Sequence, residues 1–272
     1  MSDVARQRLR LGNLGRSWAM GTYLFLVFFF LMLPVAVVML ASVSNTSYLV
    51  VPPKGVTFRW YQAVLDNREF TDAILYSLKL AAVTTAGSVA LGVAAAYALV
   101  RRTMPGAAAV SAMLMAPLAF PAVVIGVALL QFYSLLGVSG SFAGLVAAHM
   151  VITVPYVVRA VLASLAGADA VVEDAARTLG ANRWVAFFTV TLPLIRPGVV
   201  AGALFAFIVS FDNVPVTIFL LDVRNVTLPV KIFTAIEYGV DPSIAAVSTM
   251  LIVVTGLFLV AAERWLGFHR FV

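Results

Sequence analysis

Cysteine is absent from the 272 residues, so disulfides, thiol redox chemistry and cysteine-ligated metal sites are excluded. Lysine stands only at positions 54, 79 and 231, after Pro53, Leu78 and Val230. None of the three sits in the Gly-Lys-Ser/Thr of a phosphate-binding loop, so the chain has no means of its own to hydrolyse a nucleotide. Charge of either sign is scarce: 11% of residues are charged, where a soluble domain carries about 25%. The net charge is +6, yet the arginines are scattered and lie beside no aromatic platform in a soluble domain, which excludes nucleic acid as a partner.

What fills the chain instead is apolar. Hydrophobic residues make up 62% and the mean hydropathy is +1.04, so lipid is the solvent. A hydrocarbon core of about 30 Å takes about 20 helical residues to cross. Six runs meet that length, at 18–41, 73–100, 107–136, 142–165, 198–221 and 243–262. They predict an all-α integral membrane protein with six transmembrane helices. Prolines at 34, 117, 121, 155 and 215 fall inside the runs, where neighbouring helices can satisfy the freed backbone groups.

Basic residues orient the spans. Arg6, Arg8, Arg10 and Arg16 precede the first run; Arg101 and Arg102 follow the second; Arg159, Arg177, Arg183 and Arg196 flank the fourth connection; Arg264 and Arg270 close the chain. The other side holds only Lys54, Arg59, Arg68, Arg224 and Lys231. Both termini are therefore expected in the cytoplasm, with tails at 1–17 and 267–272 around one membrane domain at 18–266. The first run exceeds the apolar core of a cleaved signal peptide, about 7 to 15 residues, so it reads as a retained span. On the outer side, the stretch around Trp60 and Tyr61 reads as a short surface helix entering the second span, "GVSGS" as a plain turn, and 222–242 as a segment folding back in a partial helix.

One polar island interrupts the second half: "EDAARTLGANRWVAFFTVTLP", within the long inner connection 166–197. Val171, Val172, Ala175, Ala176 and Leu179 recur at helical spacing, with Asp169, Glu173 and Arg177 on another face. Gly180 allows the left-handed turn that ends a helix. A second helical segment is expected from Asn182 to Thr191, ended by Pro193 and Pro197. Helix, glycine turn and helix together have the form of a docking element.

The register Asp174-Ala175-Ala176, three residues, Gly180, nine residues, Val190, Thr191, Leu192-Pro193 resembles the "EAA" loop of permease subunits in bacterial ABC importers of the binding-protein-dependent type. Asp174 replaces the usual Glu, and Val190 the usual Ile. The similarity extends through "YSLKLA", "LPLIRPGVVAGALFAFIVSFDN" and "NVTLPVKIF", and is strongest to the spermidine/putrescine branch. The resemblance implies a coupling helix seated on a separate ATPase that binds ATP and Mg, with no cofactor in this chain and no catalytic residue. Carried over, Glu173, Asp174, Ala175, Ala176, Arg177, Gly180, Arg183, Leu192 and Pro193 form the ATPase-coupling set. It further implies a second permease subunit, two ATPase subunits, a periplasmic or lipid-anchored solute-binding protein, and a place in the bacterial inner membrane.

For the solute pathway, Asp212 in "SFDNVP" is the leading candidate, because a carboxylate inside a span is costly unless it faces a cavity or a partner. Phe211 would offer a π face to a cation and Asn213 further hydrogen bonds; Tyr133 and Gln131 are additional candidates. Asp212 fits contact with a cationic solute, or else a structural bond that braces the kink at Pro215 or reaches Lys79 or the other permease. His149 reads as a satisfied interhelical histidine. Polyamine is the favoured solute; opines, amino-acid derivatives and phosphonates use similar subunits. A stand-alone secondary carrier is the competing class, disfavoured by the lack of an evident internal repeat.

Overall fold

The computed structural model describes residues 3–101, 105–222, 225–238 and 241–266. The expected tail at 267–272, and Arg102, Arg224 and Arg270 of the topology argument, lie outside them. The described chain is mostly helical: α1 (Asp3–Ser42), α2 (Arg59–Asp66), α3 (Arg68–Arg101), α4 (Ala107–Met115), α5 (Ala122–Leu136), α6 (Phe142–Gly167), α7 (Ala170–Thr178), α8 (Arg183–Ala186), α9 (Leu192–Leu194), α10 (Arg196–Phe211), α11 (Thr217–Leu220), α12 (Leu228–Tyr238) and α13 (Pro242–Leu266). It divides into two compact units, one of residues 1–67 with 235–272 and one of residues 68–234.

In the first unit α13 packs against α1 and α2. The connection between α1 and α2 is tied down by side chains at the start of α2: the Trp60 indole donates to the Ser44 carbonyl at 2.9 Å, the Tyr61 hydroxyl pairs with that of Ser42 at 2.6 Å, and the Arg59 guanidinium donates to the Asn45 carbonyl at 2.9 Å.

The second unit is organised by α3, α6 and α10, which pack on one another pairwise. Lipid is as apolar as a leucine side chain, so helices associate in it through close packing and interhelical hydrogen bonds. Both are present. A Cβ on Gly92 of α3 would come within 2.7 Å of the Val157 side chain, and one on Gly202 of α10 within 2.9 Å of the Val157 Cα. Val157 of α6 is thus gripped from two sides, amid buried Val93, Ala96, Val158, Val161 and Ala206. The glue is a hydroxyl chain: Thr153 donates to the His149 carbonyl, and Ser88 of α3 donates to Thr153 at 2.7 Å.

Among the described residues, three helices are long and apolar enough to cross a membrane: 20–42 of α1, α3 and α6. Two bent pairs raise the count to five if each is one span. The third and fifth of the six expected spans are broken. In the third, α4 and its 3-10 extension Ala116–Ala119 meet α5 at 106°. Pro117 and Pro121 remove two donors four residues apart, and Phe120 is extended, as a residue before proline prefers. In the fifth, α10 stops at Phe211 and helix resumes only at Thr217, across Pro215. Pro34 and Pro155, by contrast, lie inside continuous helices. In α13 the described apolar stretch covers 242–257.

Adding a side chain at Gly202 should force α6 and α10 apart. Gly202→Val is expected to cost about 1–3 kcal/mol, read as a lower melting temperature of the purified protein in detergent. Gly21→Ala, where no atom lies within 4 Å of the new Cβ, should melt like the parent.

Candidate functional site

The polar island folds as a hairpin whose ends and turn are set by its own side chains. Asp169 caps α7, its Oδ1 accepting from the Val171 N–H at 2.9 Å. At the other end the Ala181 N–H bonds the Ala176 carbonyl at 3.1 Å and the Gly180 N–H bonds the Arg177 carbonyl at 3.0 Å. This paired closure is the Schellman motif, and it needs the left-handed φ of +96° that Gly180 supplies. The four-residue spacing from Ala176 to Gly180 is the length of that motif. Asn182 then caps α8, its Oδ1 accepting from the Val185 N–H at 2.9 Å.

The return strand of the hairpin departs from expectation. After α8 the chain runs through a π-helical turn, Phe187–Thr191, into α9. Pro193 lies within α9 rather than ending the segment, and the direction changes at Ile195, giving 74° between this stretch and α10. Pro197 does sit in the first turn of α10, where a missing N–H costs nothing.

The two faces of α7 are buried against their polarity. The apolar stripe is outward: Val171, Val172 and Leu179 are exposed, Leu179 by 89%. Glu173, read as part of the polar face, is 7% exposed. Its carboxylate accepts from the Tyr97 hydroxyl of α3 through Oε1 and from the Thr191 hydroxyl through Oε2, the latter at 2.7 Å. Arg101 Nε of α3 stands 3.6 Å from the same Oε2, and the Arg101 guanidinium donates to the Ala168 carbonyl at 3.2 Å. The Tyr97 ring meets Phe187 edge-on at 5.0 Å. Tyr97, Arg101 and Thr191 escape a reading of apolar periodicity because a buried polar cluster leaves no hydrophobic stripe behind it.

Of the other hairpin residues, Asp174 and Arg177 are exposed and only 3.8 Å apart at their nearest charged atoms, and Arg183 and Pro193 are exposed. Ala175 is exposed, Ala176 half-buried, and Leu192 packs on the cluster around Val157. A cavity of about 1340 Å³ lies between α3 and the hairpin, lined by Val93, Tyr97, Arg101, Glu173, Arg177 and Phe187 among others.

The pathway candidates separate into two groups. Asp212 ends α10 and is exposed, with no hydrogen bond or ion pair to its carboxylate among the described residues. Phe211 stacks on Phe207 at 6.1 Å. Gln131 is exposed. Asn213 is occupied in bracing the break: its Oδ1 accepts from the Val216 N–H at 3.0 Å and its carbonyl from the Thr217 hydroxyl. Tyr133 is buried, and its hydroxyl donates to the Gly144 carbonyl at 2.9 Å, closing the turn between α5 and α6. Lys79 lies over the Phe142 ring at 4.7 Å instead of meeting Asp212.

His149 is fully satisfied, as its reading required. Since Thr217 gives its hydrogen to Asn213, it accepts from His149 Nε2 at 3.0 Å; Nδ1 then accepts from Ser210 at 2.9 Å. The ring therefore binds α6 to both sides of the break in the fifth span.

Residues 88–269 match the family described as binding-protein-dependent transport system inner membrane component, and the chain belongs to that family. It is 30% identical over 250 residues to the spermidine/putrescine transport system permease protein PotC of Haemophilus influenzae, covering 92% of this chain and 97% of that protein. It is 35% identical over 222 residues to the molybdenum transport system permease protein ModB of Escherichia coli, covering 75% of this chain and 96% of that one. A bacterial ABC transporter involved in the import of the acidic polysaccharide alginate has the same fold, with a TM-score of 0.76, 16% identity, and coverage of 94% of this chain and 96% of that chain. The protein is an ABC importer permease, a transport subunit of the inner membrane.

His149→Ala would leave the Ser210 hydroxyl without its acceptor and take one of two hydrogen bonds from the Thr217 hydroxyl. The expected cost is about 1–3 kcal/mol in detergent thermal melts, with His149→Asn losing less because it retains a donor and an acceptor.

Proposed function

We propose that this chain forms half of the solute pathway of an ATP-driven importer, with the hairpin 166–197 as its contact with a cytoplasmic ATPase. The reading rests on one observation: the apolar stripe Val171, Val172 and Leu179 faces outward from a helix held by its acidic residue to the bundle. Such a stripe on a rigidly capped hairpin suits a groove in a partner, and the exposed Ala175 beside it lets two backbones approach closely. Asp174, Arg177 and Arg183 ring the stripe with charge available for hydrogen bonds to that partner. In this reading the chain crosses the membrane six times, with the third and fifth crossings broken, and the hairpin and both termini lie in the cytoplasm. A second permease completes the pathway, two ATPase subunits bind ATP and Mg, and a periplasmic or lipid-anchored solute-binding protein delivers the solute.

The solute is a polyamine or a related organic cation. The carbonyl end of a helix carries partial negative charge, and Asp212 adds a full charge at the end of α10, beside the Phe211 ring. That combination favours a cation over an anion. The name of the PotC relative supports the same class.

Leu179→Asp would set a carboxylate in the docking stripe; the permease should still insert, but co-purification of the ATPase with it should fall sharply. Asp212→Asn in the assembled importer is expected to cut polyamine uptake about 10- to 100-fold, the worth of one charge-assisted contact. Uptake measured in proteoliposomes at parental rate would remove Asp212 from the pathway.

A further inference from the structure

The hairpin joins α6 and α10 in sequence, but its polar side-chain attachment is to α3. Arg101 reaches the Ala168 carbonyl at the entry to the hairpin, Tyr97 reaches Glu173 in the middle of α7, and Thr191 on the return closes on the other oxygen of Glu173. Next to this cluster the cavity separates α3 from the hairpin, so the carboxylate concentrates the attachment. Its partners lie 76 and 18 residues away along the chain. A carboxylate withdrawn from water in this way is worth keeping only where its hydrogen bonds are made, and removing it leaves two hydroxyls and an arginine facing each other.

The helix so engaged differs from those flanking the hairpin. α6 contains Pro155, and the fifth span breaks after Phe211. α3 runs 34 residues without proline. Its outer end is bound in turn: Ser77 accepts from the Leu228 N–H at 2.8 Å, and Glu69 pairs with Lys231 at 2.7 Å.

We propose that Glu173 is a positioning residue that clamps the coupling hairpin to the inner end of α3, so that motion of the ATPase enters the bundle through α3 instead of the helices adjoining the hairpin in sequence. The proposal rests on the coupling function proposed above. It assigns Tyr97, Arg101 and Thr191 as the other members of the clamp.

The test uses the complete importer in proteoliposomes, with three readouts: ATPase bound per permease, ATP hydrolysed, and solute taken up. Glu173→Ala is expected to retain the ATPase while uptake per ATP hydrolysed falls roughly tenfold. Tyr97→Cys with Glu173→Cys should lose coupling similarly, and a short bifunctional thiol reagent joining the two should restore it. The chain's lack of cysteine makes that pair unique within it. A Glu173→Ala complex with the parental ratio, or a cross-linked pair that stays uncoupled, would overturn the clamp. A parent preparation that binds no ATPase would sink the importer reading itself, which is a separate result.

Discussion

Three helices come within touching distance at Val157, and the rest of the second unit is arranged around that contact. Gly92 and Gly202 present bare backbone to it from α3 and α10. In water a core of this kind would gather through burial of apolar surface, but between lipid-solvated helices that force vanishes, and fit alone is left to discriminate one arrangement from another. The hydroxyls of Ser88 and Thr153 and the His149 ring then fix which faces meet, because each has a partner only in this register.

The polar interior has two distinct uses. At His149 it holds a broken span in place: with Ser210 before the break and Thr217 after it, the ring spans the gap left by Pro215. At Glu173 it holds a surface element: a hairpin with an exposed apolar stripe is kept on the bundle by a buried acid. An acid on the inward side of an amphipathic helix inverts the usual pattern, and that inversion leaves Val171, Val172 and Leu179 free to face outward.

Much of the architecture was legible because membrane helices announce themselves by length and hydropathy, and the family was legible in the register from Asp174 to Pro193. The hairpin's turn was legible too, since Gly180 follows Ala176 at the spacing a Schellman closure needs. Other features were not. All five prolines in the runs read alike, yet Pro34 and Pro155 ride within helices while Pro117, Pro121 and Pro215 accompany breaks. The difference lies in what surrounds them: a second proline four residues on in one case, and the side chain of Asn213 offering an alternative partner to the backbone in the other. The inward face of α7 was not legible for a related reason. Periodicity finds the apolar stripe but does not say whether lipid, core or another protein covers it, and Glu173 has partners far away in sequence. Tyr133 looked available for solute because its hydroxyl is polar, whereas the Gly144 carbonyl already uses it.

The length of α3 has a mechanical meaning. At about 1.5 Å per residue its 34 residues reach about 51 Å, well beyond a hydrocarbon layer of about 30 Å. A rod longer than the membrane is thick can be gripped at both ends in water. Tilting it by a few degrees would swing its two tips in opposite senses, so a single stiff member could open one mouth of a passage while shutting the other.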